Sequence, residues 1–126
     1  MVGVVIVAHS KKLAEGVADA TRMMADDCKI AVAGGNAEDG FGTDYAKIKS
    51  AIEEVYSPEG VVILVDMGSA VMTAEMAMEE LGYSNVVLLD CPLAEGAIVA
   101  TLAASCGDDL ESVKAQALAT REQKKC

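Results

Sequence analysis

Five residues carry the chemistry this chain could perform: His9 and Asp66 as candidate catalytic groups, and Ser10, Gly68 and Ser69 as candidate phosphate-binding residues. His9 is the only histidine, and so the only side chain whose ordinary titration falls near neutral pH. It follows the apolar run Val4-Val5-Ile6-Val7-Ala8 and precedes Ser10 and a helical pattern. That places an imidazole at the carboxyl end of a buried strand, where open α/β sheets bind ligands. A second apolar run, Val61 to Val65, ends at Asp66-Met67-Gly68-Ser69 and also passes into a helical pattern. The first residues of a helix carry free N–H groups and a positive dipole end, both of which attract anions. Glycine at position 68 lets backbone amides come close to a ligand.

A neutral imidazole is a nucleophile, and a nearby helix N-terminus disfavours its cationic form. A carboxylate on the other ring nitrogen would fix the tautomer, and Asp66 is the candidate. Together these groups suit attack on a phosphoryl donor to give a phosphohistidine. Simpler roles stand beside these. Ser10 and Ser69 both occupy positions where serine caps a helix, and Asp66 could serve its own helix in the same way. Lys11 and Lys12 read as solvated. The methionines Met72, Met76 and Met78 read as core packing.

The elements that must position these residues follow from periodicity. Val2 to Val7 reads as a strand, and Leu13, Val17, Ala20 and Met24 give a helix from about Lys11 to Met24. Lys29 to Val32 is a short strand broken by Gly34-Gly35, and a glycine-rich loop runs on to Asp44. Thr43 or Asp44 caps the next helix, whose apolar face is Tyr45, Ile48, Ile52 and Val55. Strands at Val61–Val65 and Val86–Leu89 are followed by helices at Ala70–Leu81 and Leu93–Ala104. Asp108 with Glu111 resembles a capping box that opens a last helix reaching about Glu122. Alternation of strand and helix predicts a single α/β domain over residues 1–126, a parallel sheet covered by helices on both faces. All strand-to-helix junctions then open on one edge, so His9-Ser10, Gly34-Gly35, Asp66-Gly68-Ser69 and Asp90-Pro92 could converge.

Composition narrows the function classes. Hydrophobic residues are 52% of the chain but aromatics only 3%, so aliphatic side chains must build the core. A net charge of −10 disfavours nucleic acid and anionic membrane surfaces as partners. Four cysteines without a C-x-x-C pair, and one histidine, make a zinc site improbable. There is no basic, apolar leader at the start and no membrane-length apolar run, so a cytoplasmic protein with reduced thiols is expected.

Several motifs, taken in order, carry a family resemblance. V-x-I-V-A-H-S at the start, Gly34-Gly35, G-T-D at Gly42, V-I-L-V-D-M-G-S-A at Val62 and P-L-A-E-G-A at Pro92 resemble the DhaM family. These are the phosphotransfer subunits of phosphoenolpyruvate-dependent dihydroxyacetone kinases, similar to the mannose-type EIIA domains of sugar phosphotransferase systems. The resemblance covers essentially the whole chain. It implies a homodimer whose His9 is phosphorylated on Nε2 by the phosphocarrier HPr. The group would pass to ADP held by DhaL, and from the ATP so formed to dihydroxyacetone on DhaK. It also implies that Asp66 orients His9, that Gly68 and Ser69 form the phosphate-binding turn, and that no cofactor is needed. Mannose-type domains carry a second glycine and a Ser-Pro step after the aspartate; Met67-Gly68-Ser69-Ala70-Val71 favours the dihydroxyacetone branch. Longer members add HPr-like and enzyme-I-like domains, so a chain ending after the first domain is expected to draw phosphoryl groups from separate proteins.

Four rivals frame the reading, one of them a non-catalytic anion-binding module that would keep the cradle but have no use for His9. A sugar-transport EIIA domain shares the histidine but passes the group to a transporter subunit. A receiver-like module phosphorylated on Asp66 would need an acidic pair after the first strand, where His9-Ser10 stands. A Ser-His-Asp hydrolase would use Ser69, but the G-x-S-x-G elbow is missing.

Overall fold

The computed structural model describes residues 1–126. Four strands, β1 (Gly3–Ala8), β2 (Ile30–Gly34), β3 (Val61–Val65) and β4 (Val86–Leu89), form one parallel sheet in the order β2-β1-β3-β4. Five helices alternate with and follow them: α1 (Lys11–Met24), α2 (Tyr45–Val55), α3 (Ser69–Leu81), α4 (Leu93–Ser105) and α5 (Leu110–Ala119). A short 3-10 turn, Thr120–Glu122, ends the ordered helical region.

Because side chains alternate along a strand, each central strand feeds two cores. Val4, Ile6 and Ala8 of β1, with Val62 and Leu64 of β3, pack under Ala14, Val17 and Ala18 of α1 and the alanine-rich faces of α4 and α5. Val5 and Val7, with Val61 and Ile63, pack on the other side against Ile48 and Ile52 of α2 and Ala70, Ala74 and Ala77 of α3. The sheet is therefore covered on both faces, as its unbroken apolar strands predict.

Small side chains let the helices sit close. Gly34 ends β2 hard against the start of α1: a Cβ there would lie 2.7 Å from Lys11 Cα and 2.8 Å from Ala14 Cβ. This contact fixes the first turn of α1, immediately after His9, against the neighbouring strand.

Three local expectations are corrected. Met72 and Met76 are exposed, at 73% and 58%, and only Met78 packs against the core. The buried face of α3 is Ala70, Ala74 and Ala77, so residues 72 and 76 point away from it. The last helix is capped by Asp109, which accepts from Ser112 N at 2.9 Å, and not by an Asp108–Glu111 box. Asp108 lies one residue too early and instead accepts from Ser112 Oγ and Gln116 Nε2. That helix also tightens into the 3-10 turn after Ala119, short of Glu122.

Candidate active site

The site is built where β1 and β3 run out side by side. Val7 pairs with Val65, and Asp66 N donates to Val7 O at 3.2 Å, so the ladder leads directly into His9 and Asp66. The His9 backbone is held on both sides. Its N–H donates to Asp66 Oδ2 at 3.0 Å, and its carbonyl accepts from Gly42 N at 2.8 Å. The ring Nδ1 lies 3.0 Å from Asp66 Oδ1, and Nε2 lies 2.8 Å from Ser69 Oγ. His9 is only 9% exposed, and the Asp66 side chain is equally sheltered.

The electrostatics follow from these contacts. Burial works against ionisation of Asp66, but the His9 N–H, the His9 side chain and the Met67 N–H together hold its carboxyl below the usual range. An ionised Asp66 can only accept hydrogen bonds, so Nδ1 carries the proton. Nε2 then presents a lone pair, and the Ser69 hydroxyl donates to it. Asp66 is thus a partner of the histidine and not a cap: α3 has no side-chain cap bond at its N-cap residue, Gly68.

The two serines divide the roles the sequence left open. Ser10 is a cap, its Oγ accepting from Leu13 N at 3.2 Å at the start of α1. Ser69 is the first residue of α3 and turns its hydroxyl to the imidazole. The N–H groups of Gly68 and Ser69 have no intramolecular partner, and both residues are exposed. They form a short donor surface beside Nε2 at the positive end of α3. Gly68 has ordinary helical backbone angles, and a Cβ there would meet nothing within 4 Å, so its absent side chain leaves open space at the turn.

The end of β4 converges on this edge as expected: Asp90 and Cys91 line one cavity with Asp66, Met67 and Gly68, and the exposed Asp90 lies 3.9 Å from Arg121. The glycine loop contributes a residue that sequence reasoning passed over. Phe41 is 74% exposed, and its ring centroid lies 5.5 Å from that of His9, at an interplanar angle of 37°. The available signal was its isolation: the only phenylalanine of the chain stands between two glycines. Of the two candidate caps in that loop, Asp44 is the one used, accepting from Lys47 N at 2.9 Å, whereas Thr43 Oγ1 meets Thr73 Oγ1 of α3.

The family model described as the PTS system fructose IIA component, EIIA-man, matches residues 3–114. The chain belongs to the EIIA-man family. Within it, the curated relatives are DhaM subunits, in line with the resemblance carried by the sequence motifs. The phosphoryl donor subunit DhaM of the PEP-dependent dihydroxyacetone kinase of Escherichia coli is 41% identical over 99% of this chain. This chain spans only 28% of that relative's length. The DhaM of PEP-dependent dihydroxyacetone kinase 1 from Listeria innocua is 38% identical, covering 97% of this chain and 96% of its own length. Among solved structures, a protein of unknown function superposes with a TM-score of 0.86 at 30% identity, covering 100% of this chain and 99% of that one. A sigma-54 interaction domain protein from Enterococcus faecalis shares the fold, with a TM-score of 0.74 at 18% identity and coverage of 96% of this chain and 90% of its own. No helix is long and apolar enough to cross a membrane.

Proposed function

We propose that residues 1–126 form a phosphoryl-carrier domain that takes a phosphoryl group from phospho-HPr onto His9 and delivers it to ADP bound on DhaL, with dihydroxyacetone on DhaK the final acceptor. The observation that carries this reading is the orientation of the imidazole. Asp66 holds the proton on Nδ1, and the Nε2 lone pair accepts from the hydroxyl of Ser69, the first residue of α3, where the Gly68 and Ser69 N–H groups are unpartnered.

In the forward step the Nε2 lone pair bonds to phosphorus, and the N–P bond of the donor breaks with its electron pair returning to the donor imidazole. Nδ1 keeps its proton, so the His9 ring becomes a phosphorylated imidazolium paired with the Asp66 carboxylate. The Ser69 hydroxyl, no longer needed at Nε2, turns to a phosphoryl oxygen, and the Gly68 and Ser69 N–H groups donate to the others. In the second step a β-phosphate oxygen of ADP attacks phosphorus, and the ring leaves as neutral imidazole. The carboxylate thereby serves both directions: it orients the nucleophile, then balances the charge that makes the phosphoryl group transferable. The chain acts in the cytoplasm as a homodimer and needs no cofactor of its own.

The test is reconstitution with enzyme I, HPr, phosphoenolpyruvate, DhaL and DhaK. Dihydroxyacetone phosphate should form with the wild-type chain and not with His9→Ala. The phosphorylated protein should lose its label in acid and keep it in alkali, as a phosphoramidate does. Phosphorylation of a mannose-type transporter subunit without dihydroxyacetone phosphate would place the chain in sugar transport. Acid-labile label on His9→Ala would move the acceptor to another residue.

A further inference from the structure

Phe41 is costly to explain by packing. A large apolar side chain left 74% exposed adds little to the core, and Phe41 belongs to neither of the two buried clusters. Yet the loop that carries it is tied down along its length. Asn36 Oδ1 accepts from Glu38 N and Gly40 N, Asn36 Nδ2 donates to Phe41 O, and Asn36 N donates to Gly40 O. Asp39 is gripped by Lys47, which also reaches Gly34 O, and by Lys11. Gly42, at a φ of +142°, donates its N–H to the carbonyl of His9 itself. The outcome of this bonding is that one exposed aromatic ring is presented to one imidazole, 5.5 Å between centroids.

We propose that Phe41 is a positioning residue whose π-face stabilises the imidazolium that His9 becomes when it is phosphorylated. The inference rests on the phosphohistidine reading. Attack by Nε2 with Nδ1 still protonated leaves the ring with a formal positive charge. A cation within about 6 Å of an aromatic centroid is attracted by the ring quadrupole. Asp66 answers that charge at the Nδ1 edge, through a hydrogen bond in the plane of the ring. The aromatic contact adds attraction without competing for the proton.

The chain offers an unusually clean test, because Phe41 is its only phenylalanine. Biosynthetic replacement of phenylalanine by fluorinated analogues changes this one ring, and each fluorine weakens the quadrupole while keeping the ring apolar and similar in shape. Phosphoramidate is the donor: its P–N bond breaks as the Nε2–P bond forms, and ammonia leaves with the bonding pair. It requires no protein partner. The rate of His9 phosphorylation should fall stepwise from phenylalanine through 4-fluoro- to 3,4,5-trifluorophenylalanine, by about two- to fivefold over the series. Phe41→Leu, apolar without a π-face, should match the trifluoro form, and Phe41→Trp should equal or exceed the wild type. Equal rates across the series, with thermal stability unchanged, would overturn this inference alone. Absence of acid-labile label on the wild-type chain would sink the phosphohistidine reading and this inference with it.

Discussion

Replacing Asp66 by asparagine separates chemistry from architecture at this site. The carboxylate accepts two hydrogen bonds from one residue, the His9 backbone N–H on Oδ2 and the ring Nδ1–H on Oδ1, each at 3.0 Å. Asparagine is nearly isosteric but has one acceptor oxygen and one donor NH2. If the oxygen keeps the backbone N–H, the amide NH2 faces Nδ1, and the ring must move its proton to Nε2 to accept from it. That removes the lone pair proposed to attack phosphorus. If the amide flips, its NH2 faces the backbone N–H, and a donor–donor clash replaces a bond. The first arrangement exchanges a hydrogen bond to a sheltered, charged acceptor for a neutral one and the second loses it outright, a cost of up to about 1.5–3 kcal/mol, or roughly 10- to 150-fold in an equilibrium. The tautomer effect adds to this. In Ser-His-Asp enzymes the same substitution lowers kcat by about 10⁴ through the wrong tautomer. Asp66→Asn should therefore remain folded, with a modest fall in Tm, and slow His9 phosphorylation by at least about 10²-fold. The assay is single-turnover labelling from phospho-HPr, with circular dichroism and thermal melts alongside. Full-rate labelling of His9 in a destabilised Asp66→Asn protein would refute the reasoning and leave Asp66 with a structural task only.

Other outcomes follow from the same geometry. Ser69→Ala removes the hydroxyl at Nε2, so labelling should slow by about tenfold, one ordinary hydrogen bond's worth, while the label stays on His9; complete loss of label would make the serine the acceptor. Gly34→Ala drives a methyl group into Lys11 Cα and Ala14 Cβ and should lower stability by about 1–3 kcal/mol in urea melts; an unchanged midpoint would show that α1 shifts freely. The depressed Asp66 carboxyl makes a stability contribution that is complete above the ordinary aspartate value, about 3.9, and is lost as pH falls through its lower folded-state value. Acid unfolding of the wild type should accordingly be steeper below that point than that of Asp66→Asn, and parallel profiles would deny the linkage.

The fold was readable because its strands are apolar at every position and its helices repeat at 3.6 residues. Two packed faces follow from that pattern, and so does one shared edge for the loops. The meeting of His9 with Asp66 was readable for the same reason: each is the first polar residue after a central strand. What the chain could not reveal was side-chain direction within a helix of mixed apolar residues. Alanine at positions 70, 74 and 77 won the buried face of α3, and Met72 and Met76, although far larger, were turned outward. Phe41 escaped notice because its placement depends on long-range bonds, Gly42 N to His9 O and Lys47 to Asp39, that no local pattern encodes. The capping residue of the last helix differed by one position because neighbouring aspartates 108 and 109 are chemically equivalent as caps and only backbone geometry chooses between them.

The adjacency of β1 and β3 also sets when the protein becomes usable during its own synthesis. His9 and its carboxylate are 57 residues apart, and Ser69 lies 60 residues beyond the histidine. The first strand therefore leaves the ribosome without a partner for its central edge and waits for β3, a non-local pairing of the kind that slows folding. A nascent or prematurely terminated chain ending before Asp66 holds the imidazole but neither the carboxylate that meets its Nδ1 nor the amides at the start of α3, so on the proposed reading it would carry no phosphoryl group.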